Sequence, residues 1–159
     1  MRDPRFIAAH RGGLLGKGDH RALACWAAEC AERVLPLFEA VSSDSRPREA
    51  IATARRWAEG DATVGEARKA SVAAHAAARE ANDPAAVAAA RAAGHAVATA
   101  HMADHSLGGA LYAIRAMRCA GVDPDEETRR QIEMLPVHLR GMVLDGLETK
   151  GAIARGPTR

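Results

Sequence analysis

Apolar residues recur every three to four positions along most of this chain, and the breaks in that rhythm divide it into helices. Residues 1–18 hold no such stripe; they carry glycine at 12, 13, 16 and 18 and are expected to form an irregular arm. From Asp19, read as an N-cap, the residues Leu23, Trp26, Ala27, Cys30, Val34, Leu37 and Phe38 fall on one helical face. Pro36 is expected to kink that helix or end it a turn early, because proline removes a backbone donor and clashes with the preceding turn. After the loop SSDSRP, a second helix starts at Pro47 and runs to Glu59, with Ile51, Ala54, Trp57 and Ala58 inward. Thr63 and Glu66 have the spacing of a capping box for a third helix, which reaches Ala81.

Asp83-Pro84 joins a cap to a proline suited to the first helical position, and opens a fourth helix. A break is expected near His105-Ser106. The stripe Leu107, Leu111, Ile114 and Met117 then forms a fifth helix ending at Gly121. Asp123-Pro124 and Pro136 open two shorter helices, the second with Leu139, Met142, Val143 and Leu147 on one face. No segment alternates with a period of two, and no motif recurs at a fixed spacing. The pattern therefore predicts an all-α, single-domain bundle of about six or seven helices. Its expected organisation is an arm over 1–18, a helical domain over 19–150 and a flexible C-terminal tail over 151–159. Trp26, Val34, Ile51, Trp57, Leu111 and Ile114 are the expected core.

Composition sharpens this picture. Hydrophobic residues make up 48% of the chain, but aromatics only 3%, so alanine must supply much of the buried surface. Such a core gains density from close helix approach rather than from large rings, and alanine favours helix because it loses no side-chain entropy. A net charge of +2 gives no basis for binding nucleic acid or an anionic membrane. The start is more basic, with Arg2, Arg5, Arg11, Lys17 and Arg21 against Asp3 and Asp19. A solvated arm is preferred there over an anion-binding patch.

Cys25, Cys30 and Cys119 have no metal-binding spacing, and five helical positions turn the first two about 140° apart. Reduced thiols in a cytoplasmic protein fit best. The chain begins without the apolar stretch of a signal peptide, and its most apolar window, 84–104, is too rich in alanine to span a membrane.

The histidines are the chemically interesting feature. The stretch GHAVATAHMADHSLGGALYA sets three of them and Asp104 among alanines. On a continuous helix His101 and His105 would share a face about 40° wide, the spacing by which two imidazoles hold one zinc. His95 would need a bend to join them, and His75 could arrive only through tertiary packing. Three readings are open: a packed core in which each ring nitrogen finds a carbonyl or carboxylate, a ligand or catalytic pocket, and a metal site. The packed core explains most, and no metal or cofactor is expected. The candidate ligand-binding residues are His75, His101, Asp104 and His105, with Arg46 and Arg48 at a helix start and Asp19 and His20 at another. No nucleophile–base pair, phosphate loop or nucleophile elbow is legible, so no catalytic residues are assigned.

Four stretches taken together, GDHRALACWAAECAERVL, RPREAIATARRWAEG, EARKASVAAHAAARE and RAAGHAVATAHMADHSLGGALYAIRAM, resemble a bacterial family of immunity proteins. These are small all-helical domains assigned to polymorphic-toxin systems and common in actinomycetes. The resemblance spans about residues 10 to 147 and implies stoichiometric binding to a protein toxin through a surface patch, without catalysis or cofactor. The alternative is a small-molecule- or metal-binding protein, or an enzyme, with a histidine-lined pocket.

Overall fold

The computed structural model describes residues 2–151, so of the tail expected over 151–159 only Gly151 lies among the described residues. They form seven α-helices: α1 (Lys17–Glu39), α2 (Arg46–Ala58), α3 (Val64–Glu80), α4 (Pro84–Ala98), α5 (His105–Cys119), α6 (Pro124–Glu133) and α7 (Val137–Thr149). No strand is present among the described residues; one isolated bridge joins Ala8 and Leu15. Among the described residues no helix is long and apolar enough to cross a membrane.

Side-chain caps set three of the seven helix starts. Thr63 Oγ1 accepts from the Glu66 amide at 3.1 Å and Glu66 Oε2 accepts from the Thr63 amide at 2.6 Å, completing the capping box. Asp83 caps α4 through the Ala86 amide at 2.9 Å, and Asp123 caps α6 through the Asp125 amide at 2.9 Å. Asp19 does not cap α1. That helix begins earlier, at Lys17 after Gly16, and Asp19 accepts from His138 Nε2 at 2.8 Å instead. Pro36 does not stop α1, which continues through it to Glu39.

α4 is the central element and packs against α1, α2, α3 and α5. Its alanines, from Ala86 to Ala98, are buried on nearly every side. A helix so covered must be small-sided, because each neighbour approaches the backbone closely. Ser71 Oγ on α3 donates to the Gly94 carbonyl at 2.9 Å, a contact that such closeness permits. Trp26, Val34, Ile51 and Ile114 are buried as expected, whereas Trp57 and Leu111 sit half-buried at the edge of the core.

Polar contacts fix α6 to this core. Trp26 Nε1 donates to the Gln131 carbonyl at 2.7 Å, and Gln131 Nε2 donates to the Ala110 carbonyl at 3.1 Å. Arg33 on α1 donates two bonds of 3.0 Å to Glu127, whose side chain is fully buried. A carboxylate taken out of water needs such a partner, and bidentate guanidinium supplies it.

The segment before α1 is tied into the domain. Two 3-10 turns, Pro4–Phe6 and Ala9–Arg11, place Phe6 in the core, and Leu15 is buried after them. The Leu15 amide donates to the Ile7 carbonyl at 3.0 Å and the Ala9 amide to the Leu15 carbonyl at 2.8 Å. Gly13 lies so close to the Ile7 carbonyl that no β-carbon fits there. Arg2 pairs with Asp104, and Arg5 with Asp3 and Asp145.

Candidate functional site

Four histidines from different parts of the chain meet in a row. His75 comes from α3, His95 from α4, and His105 is the first residue of α5. His101 lies in the turn between α4 and α5. Successive ring centroids are 5.0 Å apart for His75–His95, 5.6 Å for His95–His105 and 5.0 Å for His105–His101. Tyr112 stacks on His95 at 5.1 Å with the planes only 13° apart, and Arg115 lies 5.1 Å over the tyrosine ring.

The helical spacing that suggested a His101–His105 pair is not how they meet. α4 ends at Ala98, earlier than the expected break, and the turn brings the rings together. That same turn supplies the bend His95 needed. Two glycines make room for the row. A methyl group built on Gly94 would lie 2.7 Å from His75 Nε2, and one on Gly108 would lie 2.7 Å from His95 Nδ1. Alanine at either position would push into an imidazole.

Burial is the main influence on these rings. It lowers the pKa of His75, His101 and His105 from the usual histidine value and takes His95 down to about 4. Neighbouring cations and imidazoles push the same way; for His95 these are His75, His105, Arg91 and Lys150. Asp104 opposes the fall at His101 and His105, but its carboxylate is engaged by Arg2 through bonds of 2.9 and 3.1 Å.

A packed-core reading expects each ring nitrogen to find a partner. His20 does so at Nε2, which lies 2.5 Å from the Thr99 carbonyl, with the ring tilted against Trp57 at 4.8 Å. The row does not: His95 Nδ1 and His101 Nδ1 are buried with no hydrogen-bond partner. Among the described residues no group of three His, Cys, Asp or Glu side chains is placed to hold a metal ion.

The remaining candidates are scattered. Arg46 pairs with Asp44 and Glu80, each at 2.6 Å, and Arg48 pairs with Glu39 at 2.5 Å. Asp19 and His20 adjoin in sequence, but Asp19 faces α7 while His20 is buried beneath the Thr99 turn.

His20 and His101, both candidates from the sequence, line one cavity whose shape no local pattern reveals. About 520 Å³ in volume, it opens between the N-terminal arm, the start of α1, Trp57 of α2 and the turn carrying His101 and Met102. Arg11 and Lys17 line it; the basic start of the chain was the available signal. Of the histidine row, only His101 reaches the cavity lining.

These features define an alanine-rich, seven-helix domain with a half-buried imidazole row and a cation-lined cavity beside its arm. Residues 13–138 match the model of the family described as "Imm-5 like putative immunity protein", and the chain belongs to that family. No curated protein and no solved structure matches it significantly.

Proposed function

We infer that the protein neutralises a protein toxin by stoichiometric binding, without catalysis. The observation that carries this reading is membership of the immunity-protein family across 13–138. The chemistry of the histidine row supports it. A general base works best with a pKa near the operating pH, and an imidazole held at about 4 in a helix interior is a weak base at neutrality. Recognition then belongs to the surface, where charge complementarity sets partner choice. The start of α2 is one candidate edge: Arg48 keeps 62% of its side chain exposed while paired with Glu39.

The test is co-expression with the products of the genes that flank its own, followed by light scattering on any complex purified. A one-to-one complex and protection that saturates at equimolar ratio are expected, with weaker association for Arg46→Glu and Arg48→Glu. Full protection far below equimolar ratio, or histidine-dependent turnover of a substrate, would overturn the reading.

One observation favours a second reading, small-molecule binding: His101 borders a cavity of ligand size.

A further inference from the structure

We propose that the cavity beside the N-terminal arm binds a small organic anion, with an apolar body against Trp57 and Met102 and its charged head at Arg11 and Lys17. The inference goes beyond the immunity reading and does not depend on it, because the cavity is complete in the isolated domain.

The volume of about 520 Å³ falls in the usual range for small-molecule sites, about 300–1,000 Å³. Its walls combine apolar surface from Phe6, Leu15, Trp57 and Met102 with basic side chains, and among the described residues no acidic one lines it. Several surface arginines are neutralised by a carboxylate, among them Arg5, Arg46 and Arg48. At this cavity Arg2 is held by Asp104, but Arg11 and Lys17 have no ion-pair partner among the described residues. Two unpaired cations beside an apolar wall create a positive potential that a bound anion relieves.

The start of α1 adds to it. Lys17 is the first residue of a 23-residue helix whose N-cap, Gly16, offers no side chain to the free amides. No described atom lies within 4 Å of where a β-carbon on Gly16 or Gly18 would stand, and Asp19 is the one acidic residue of that first turn. Apolar walls with a few convergent polar groups are what fix a small ligand's orientation. A carboxylate, sulfonate or phosphate monoester satisfies the same groups.

The test uses 2-naphthoate, 2-naphthalenesulfonate and 2-naphthyl phosphate, with neutral 2-naphthamide as the matched control. Binding to the whole protein is followed by calorimetry and by chemical shifts of Trp57 and Met102. At least one anion should bind saturably and about tenfold or more tighter than the amide, more weakly as salt rises. The ranking of the three identifies the preferred head group. Arg11 and Lys17 are both exposed, so an Arg11→Gln, Lys17→Gln double variant keeps the fold and should lose that preference. The proposal is overturned if no anion binds at millimolar concentration, if amide and anions bind alike, or if the double variant binds as the parent does.

Discussion

Acid should unfold this domain through its interior, with His95 the largest single contributor. An unfolded histidine titrates near 6.5, whereas burial holds His95 at about 4. Between those values the unfolded chain binds the proton and the folded one does not. The contribution is therefore complete above about pH 6.5 and lost as the pH falls toward 4. The full fall is equivalent to about 3 kcal/mol. Part of the ring meets solvent, which screens the penalty, so about 1–2 kcal/mol is expected for His95 by about pH 5. His20, His75, His101 and His105 are lowered by burial too and act in the same direction. The surface carboxylates Asp3, Glu39, Asp44 and Glu66 are held below their usual range by hydrogen bonds from Arg5, Arg48, Arg46 and Thr63. They lose their contribution at lower pH and leave this window to the histidines. The assay is urea unfolding followed by circular dichroism, at several values between about pH 7.5 and about pH 5, on the parent and on His95→Phe. Phenylalanine preserves the stack on Tyr112 and cannot titrate. The parent should lose stability more steeply than the variant across that window. Equal slopes would refute the reasoning.

Arg33→Ala should cost roughly 3 kcal/mol in urea unfolding, because it leaves Glu127 buried without its guanidinium, whereas Arg48→Ala at the surface should cost about 0.5 kcal/mol or less. Thr63→Ala should cost about 1 kcal/mol by thermal or urea unfolding, since the Glu66 amide loses its acceptor. Leu23→Ala should cost about 2–5 kcal/mol and clearly more than Leu111→Ala, because Leu23 is fully buried and Leu111 only partly so.

Helix starts that depend on neighbouring residues were legible in the sequence. The Thr63–Glu66 box, Asp83-Pro84 and Asp123-Pro124 each satisfy backbone amides within a few positions, so spacing alone reveals them. Asp19 looked like the same device and was not, because a histidine 119 residues away claims its carboxylate. No local pattern carries that contact. The amphipathic stripes placed Trp26, Val34 and Ile51 in the core, yet could not tell a covered face from an edge, and Trp57 and Leu111 lie at the edge. The histidine row shows the same boundary. His101 and His105 were paired from helical geometry, although the chain turns there and a different geometry joins them. His95 was set aside because a straight helix kept it away, and Tyr112 gave no signal, since its stack on His95 arises only when α4 meets α5.

The packing around the row also decides where a ligand could reach it. Gly94 and Gly108 already bring backbone against His75 and His95 so closely that one added methyl group would collide with either ring. Backbone therefore covers one side of each of those imidazoles, while both rings keep part of their surface exposed. His75 and His95 thus act on the domain from within: they govern its response to acid and the fit of the central helices. His101 stands at the other end of the row, where the turn between α4 and α5 meets the cavity. The row and the cavity are therefore two environments that meet at His101. One is half-buried and depends on neutral rings; the other is open and carries positive charge with no ion-pair partner among the described residues. Substitutions at Arg11 and Lys17 address the second without touching the first, which is why they separate recognition from stability.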